Sequence, residues 1–274
     1  MHRCPLSFLF IFEPLKQRAV RRQSGTAERE INKTAMRLLL ISNSTNAGEA
    51  YLDYPKHNIR EFLGSRKVKA LFIPYAAVTF SYDDYEAKVK ARFNEVGHDV
   101  VSIHRFSDPV KAITEATAIV VGGGNTWMLL KCLRDNGLIA PVRKKVLSGT
   151  PYIGWSAGSN VTCPTIMTTN DMPVTAPSSF RAFGLIPFQI NPHYLDANPA
   201  GHAGETREQR IQEFIEVNRE IFVAGLREGT MFLLEGKKLS LIGPRNCRIF
   251  KYGTEPVEMK PGSDLSFLLG KNKK

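Results

Sequence analysis

With 274 residues, 43% of them hydrophobic, the chain is long enough to bury the sheet of one α/β domain, yet no apolar run approaches the roughly 18 residues that cross a membrane. Cys4, Cys132, Cys163 and Cys247 have neither metal-ligand spacing nor a disulfide rhythm, so the expected setting is a reducing cytoplasm, with no metal or other cofactor. The net charge of +11 is dispersed and not interleaved with aromatic residues, which argues for a solvated surface and against a nucleic-acid partner, while still drawing in anionic substrates.

In chain order, residues 1–35 come first. The apolar run Pro5 to Phe12 is broken by Glu13-Pro14 and followed by Lys16, Arg18, Arg21 and Arg22. It is too short for a secretory signal, and Glu13, Glu28 and Glu30 argue against a mitochondrial presequence, so the segment reads as a disordered extension. Strands follow at 37–42, 70–75, 99–104, 118–122 and 151–155, interleaved with amphipathic helices at 56–64, 82–96, 109–116 and 126–136, and a later helix at 205–219. That alternation predicts a mostly parallel sheet with helices on both faces. Beyond Val223 the texture changes to short strands at 231–235, 238–242 and 247–252, expected as an antiparallel C-terminal edge of the same sheet. Residues 36–260 form one domain and 261–274 a tail.

Chemistry concentrates where strands end. Gly154-Trp155-Ser156-Ala157-Gly158 places a serine between two glycines at a strand-to-helix junction, the pattern of a nucleophile elbow. The glycines remove Cβ atoms that would block so tight a turn, and the Ala157 N–H points toward charge developing on an attacked carbonyl. Such a hydroxyl needs a base, and the base needs a carboxylate. His193 follows a short strand-like run ended by Pro192, and Glu228 follows the apolar run Ile221 to Leu226. A hydrolase of the order serine, acid, histidine would instead use Asp171 or Asp196 with His202, but His202 lies in a glycine-rich loop with no strand to hold it. The run Thr117 to Val121 leads into Gly122-Gly123-Gly124-Asn125, which lacks the spacing of a dinucleotide fingerprint and the lysine of a P-loop. Its Gly124 N–H is a second candidate oxyanion donor, and Asn125 a candidate contact to substrate. Cys163, downstream of the elbow, reads as packing.

Five separated segments together resemble the peptidase E family of α-aspartyl dipeptidases: Met36 to Thr45, the Gly-Gly-Gly-Asn-Thr turn, Gly-Trp-Ser-Ala-Gly, Gln-Ile-Asn-Pro-His, and Gly-Glu-Thr-Arg-Glu-Gln-Arg at 204–210. The resemblance runs over nearly all of 36–255. It implies a fold like class I glutamine amidotransferases, a Ser156–His193–Glu228 triad, and hydrolysis of dipeptides with N-terminal aspartate. Amidotransferases carry cysteine at the elbow, so serine points toward peptide cleavage. Arg227 stands where the family has proline. An aspartyl substrate requires a cation, for which Arg207 is the candidate, its alternative role being a surface ion pair with Glu205 or Glu208. Tyr194 is a further candidate contact, and Asp171 a candidate for the substrate's free amine. The expected partner is a small peptide, with no nucleic acid and no membrane. Two other function classes stay open at this point, an α/β-hydrolase esterase and a non-catalytic amidotransferase-like binding module.

Overall fold

A computed structural model describes residues 35–198, 200–201 and 203–270, so residues 1–34 of the predicted extension and the base alternative His202 lie outside the described residues. Its elements are β1 (Arg37–Ile41), α1 (Lys56–Leu63), β2 (Lys69–Ile73), α2 (Tyr82–Glu95), β3 (Asp99–Ser102), α3 (Pro109–Glu115), β4 (Ile119–Val121), α4 (Thr126–Asp135), α5 (Ile139–Leu147), β5 (Tyr152–Trp155) and α6 (Ala157–Asn160). After these come β6 (Gln189–Pro192), α7 (Arg207–Val217), β7 (Val223–Leu226), β8 (Met231–Glu235), β9 (Lys238–Ile242), β10 (Cys247–Phe250) and β11 (Val257–Met259).

The central sheet has seven strands in the order β3-β2-β4-β5-β1-β8-β9, parallel from β3 to β1 and antiparallel through β8 and β9. Its parallel strands are apolar at nearly every position because helices cover both faces. Alternate residues divide between two cores. Leu38 and Leu40 of β1 pack with Leu129 and Leu130 of α4, while Leu39 and Ile41 pack with Val89 and Phe93 of α2. α5 was not expected from the sequence. Its Pro141 stands in the first turn, where the missing N–H has no helical partner to lose, and Val142 and Val146 bury one face.

One expectation is corrected. Only β8 and β9 form the antiparallel edge of the central sheet; β10 enters a second sheet of four strands, β11-β10-β7-β6. Its apolar residues are shared out: Ile249 faces the main core, while Phe250 joins Tyr194, Ile211, Ile215 and Val223 in a third core under α7. The strands leading to Ser156 and to His193 and Glu228 therefore belong to different sheets. β1 and β5 end abreast, with Ile41 opposite Trp155, and β6 and β7 end abreast, with Pro192 opposite Leu226.

Candidate active site

The elbow forms because nothing larger than glycine fits beside it. A Cβ on Gly158 would stand 2.1 Å from the Val121 carbonyl oxygen, and one on Gly154 would stand 2.4 Å from that of Gly158. Ser156, between them, has φ +52°, a left-handed conformation that costs a non-glycine residue energy and persists only where its surroundings enforce it. Enforcement comes from three backbone bonds: Ser156 N–H donates to Ile41 O at 3.0 Å, and the Ser159 and Asn160 N–H groups donate to Ser156 O at 2.9 Å each. The first amides of α6, beginning with Ala157, are those that a helix start leaves unpaired within the helix. α6 stops at Asn160 because Pro164 follows closely. Cys163 is thus past the helix, fully buried, with its thiol pushed up to about 12 by burial, a packing residue.

His193 also has positive φ, +54°. Its N–H donates to Ser42 Oγ at 3.0 Å, and that hydroxyl donates to Leu226 O at 2.7 Å. The imidazole Nε2 lies 3.0 Å from Ser156 Oγ, and Nδ1 lies 2.7 Å from Glu228 Oε1. A carboxylate only accepts, so the Nδ1 proton is directed to Glu228 and Nε2 is left to accept from the serine hydroxyl. Both side chains of the His193–Glu228 hydrogen bond are open to water, 40% and 38% exposed. The arrangement can therefore move a proton from hydroxyl to imidazole while a carboxylate steadies the cation.

The glycine-rich turn lies beside the elbow. Gly124 has φ +128°, and a Cβ there would stand 2.4 Å from Ala76 O. Asn125 N–H donates to that same oxygen at 2.9 Å. Tyr85 fixes the turn from beneath by donating to Gly123 O at 2.8 Å, while Trp155 Nε1 donates to the Tyr85 hydroxyl at 3.2 Å. Burial pushes the Tyr85 phenol up to about 12. Gly124, Ser156 and His193 line one cavity of about 680 Å³, together with Tyr51, Lys88 and Asp171.

Other sequence candidates fall in different places. Asn125 is engaged at both ends of its amide, capping α4 by accepting from Met128 N–H at 3.0 Å and donating to Met172 O at 2.9 Å. Tyr194 is 2% exposed, packed against Phe250 and outside the cavity, because the chain turns at His193 and sends the next side chain into the third core. Arg207, at the start of α7, lines an adjoining cavity of about 170 Å³ that has Asp171 as a shared wall. Burial and the neighbouring Arg210 lower its pKa, and Asp171 opposes them. The surface ion pair expected as its alternative does not form, since Glu205 pairs with Arg210 and Glu208 with Arg248. Asp171 Oδ2 accepts from Thr126 N–H at 2.8 Å and from Thr169 Oγ1 at 3.0 Å. Arg227 forks between Asp196 and Glu258, bonding Glu258 at 2.8 and 2.9 Å, so the acid Asp196 is occupied away from any histidine base.

The cation Lys88 was missed by sequence reading. It lines the cavity with Nζ 4.1 Å over the Tyr51 ring and has no ion pair within 4 Å among the described residues. On a helix already rich in charge, nothing local distinguishes it. Asp83, Glu86 and His104 also approach one another, but Arg105 bonds both acids and Glu86 accepts from Ser102 N–H at 2.7 Å, which makes an ion-pair network.

The model of peptidase family S51 matches residues 38–242. A peptidase E from Nostoc is 51% identical over 233 residues, covering 85% of this chain and 96% of that one. A peptidase E from Escherichia coli is 48% identical over 227 residues, covering 83% and 99%. Among solved structures, a putative peptidase E from Listeria monocytogenes superposes with a TM-score of 0.58 at 23% identity, covering 77% of this chain and 99% of its own. A peptidase from an acI-B1 actinobacterium gives 0.64 at 17% identity, covering 86% and 98%.

Proposed function

The chain belongs to peptidase family S51, and on that premise we propose that it is a serine-type dipeptidase that hydrolyses Asp-X dipeptides through an acyl-enzyme on Ser156. The observation that carries this reading is the unbroken line from Ser156 Oγ through the His193 imidazole to Glu228, at 3.0 and 2.7 Å. Ser156 Oγ bonds to the scissile carbonyl carbon as its proton passes to His193 Nε2. The C–N bond then breaks and the leaving amine takes that proton. Water adds to the acyl carbon, its proton passing to Nε2, and the C–Oγ bond breaks as Ser156 regains the proton. The Gly124 and Ala157 amides stabilise the oxyanion at both stages. Serine at the elbow of an amidotransferase-like fold supports peptide cleavage over glutamine hydrolysis.

The substrate carries two carboxylates and one ammonium, and charged side chains lie near the cavity for each. Arg207, half-buried and without an ion pair within 4 Å among the described residues, suits the aspartyl side chain. Lys88 suits the terminal carboxylate of the leaving residue, and Asp171, with Oδ1 left over from its threonine bonds, suits the free amine. Asn125 keeps a capping role beside them. The test is a panel of Asp-Leu, Glu-Leu, Asn-Leu and Ala-Leu with wild type and Ser156→Ala. Turnover of Asp-Leu alone is expected, with the substitution lowering it about 10⁴-fold or more. Equal turnover of Ala-Leu contradicts the specificity, and undiminished turnover by Ser156→Ala contradicts the serine mechanism.

A further inference from the structure

Three consecutive residues at the end of β1 each hold one segment of the site. Ile41 O accepts from Ser156 N–H at 3.0 Å and also from Ser159 Oγ at 2.7 Å. Ser42 Oγ accepts from His193 N–H at 3.0 Å and donates to Leu226 O at 2.7 Å. Asn43 Oδ1 accepts from the N–H of Gly229, the residue after Glu228, at 2.8 Å. Ser42 and Asn43 are both essentially buried, at 0% and 1% exposure, although each is polar. Asn43 is itself held, its Oδ1 accepting from Tyr54 hydroxyl at 2.7 Å and its Nδ2 donating to Thr45 O at 2.9 Å.

The topology makes these bonds consequential. Ser156 follows a strand of the central sheet, whereas His193 and Glu228 follow strands of the second sheet, and among the described residues no β-ladder joins the two. Register between hydroxyl and imidazole must come from elsewhere, and a shift of about 1 Å is enough to cost on the order of 10²-fold in rate. Ser42 uses its hydroxyl in both directions, which fixes the left-handed His193 backbone and the end of β7 at one point. We propose that Ile41-Ser42-Asn43 sets the register of the three site segments, with Ser42 and Asn43 acting as positioning residues for His193 and Glu228. This rests on the acyl-transfer reading above.

The test compares wild type, Ser42→Ala, Ser42→Cys and Asn43→Ala for Asp-Leu turnover, for the rate of Ser156 modification by a serine-directed phosphonate, and for Tm. Val146→Ala, in the core under α5, serves as a destabilised control remote from the site. Ser42→Ala and Asn43→Ala are expected to lower kcat about 10- to 100-fold with KM little changed, and to slow phosphonate modification by the same factor. Ser42→Cys, which keeps a weak donor and acceptor, recovers part of that loss. Val146→Ala keeps wild-type kcat below its Tm. The proposal is overturned if the folded Ser42→Ala protein retains wild-type kcat, or if Val146→Ala loses as much activity for the same drop in Tm. A misfolded Ser42→Ala leaves Ser42→Cys and Asn43→Ala to decide, since both at wild-type kcat also overturn it. Wild type without turnover or phosphonate labelling overturns the acyl-transfer reading itself, and this proposal with it.

Discussion

Replacing Glu228 with glutamine removes the charge behind His193 while keeping the side-chain shape. The bond at issue is the 2.7 Å contact from Nδ1 to Oε1, between side chains 40% and 38% exposed. A hydrogen bond to a charged group contributes about 1.5–3 kcal/mol, and exposure of this degree places the value at the lower end, about 1.5–2 kcal/mol. At about 1.4 kcal/mol per tenfold, kcat should fall roughly 10- to 30-fold, far less than the ~10⁴-fold known for a buried triad acid. KM should change little, because the carboxylate is read as acting on the imidazole and not on the peptide. Steady-state kinetics on Asp-Leu measures both. A kcat within about twofold of wild type would refute the claim that this carboxylate supports the base.

Arg207→Leu should lower kcat/KM for Asp-Leu by about 10- to 150-fold, the scale of a lost charged hydrogen bond, and an unchanged ratio of Asp-Leu to Leu-Leu turnover would remove Arg207 from recognition. Lys88→Met should raise KM for Asp-Leu about tenfold but leave that for Asp-Leu amide alone, since only the former has a terminal carboxylate; equal effects on both would contradict the assignment. His98 is 2% exposed, accepts from Val68 N–H at 3.3 Å through Nδ1, and has its pKa held below the ordinary 6.5 by burial. A depressed folded value means that its contribution is present above the unfolded pKa and is lost as pH falls through 6.5 toward the folded one. Thermal melts at about pH 7.5 and 5.5 should show Tm falling at the lower pH, and His98→Gln should shrink that difference; no change in the difference would contradict it.

What could be read from the chain follows from where constraint is local. The elbow was legible because the close approach to Val121 O and Gly158 O tolerates only hydrogen at Gly158 and Gly154, so the requirement is written in five residues. The parallel strands were legible because burial on both faces demands unbroken apolar runs. Assignment of β10 to the second sheet was not, since Cys247 to Phe250 pairs with Val223 to Gly225 and with Val257 to Met259, and local pattern does not name a partner. The same limit hid Ser42 and Asn43, small polar residues after a strand whose roles depend on contacts 151 and 186 positions away. Tyr194 was not legible as a core residue because adjacency to His193 says nothing about which way its side chain goes, and it packs with Phe250 in the third core.

The central claim is that Ser156 Oγ becomes covalently attached during turnover. Intact-protein and peptide mass spectrometry after treatment with a serine-directed phosphonate reads this directly. A single adduct on Ser156, absent from Ser156→Ala and strongly slowed in His193→Ala, is the predicted result. An active wild-type enzyme with no adduct, or with its adduct on another residue, would contradict the account.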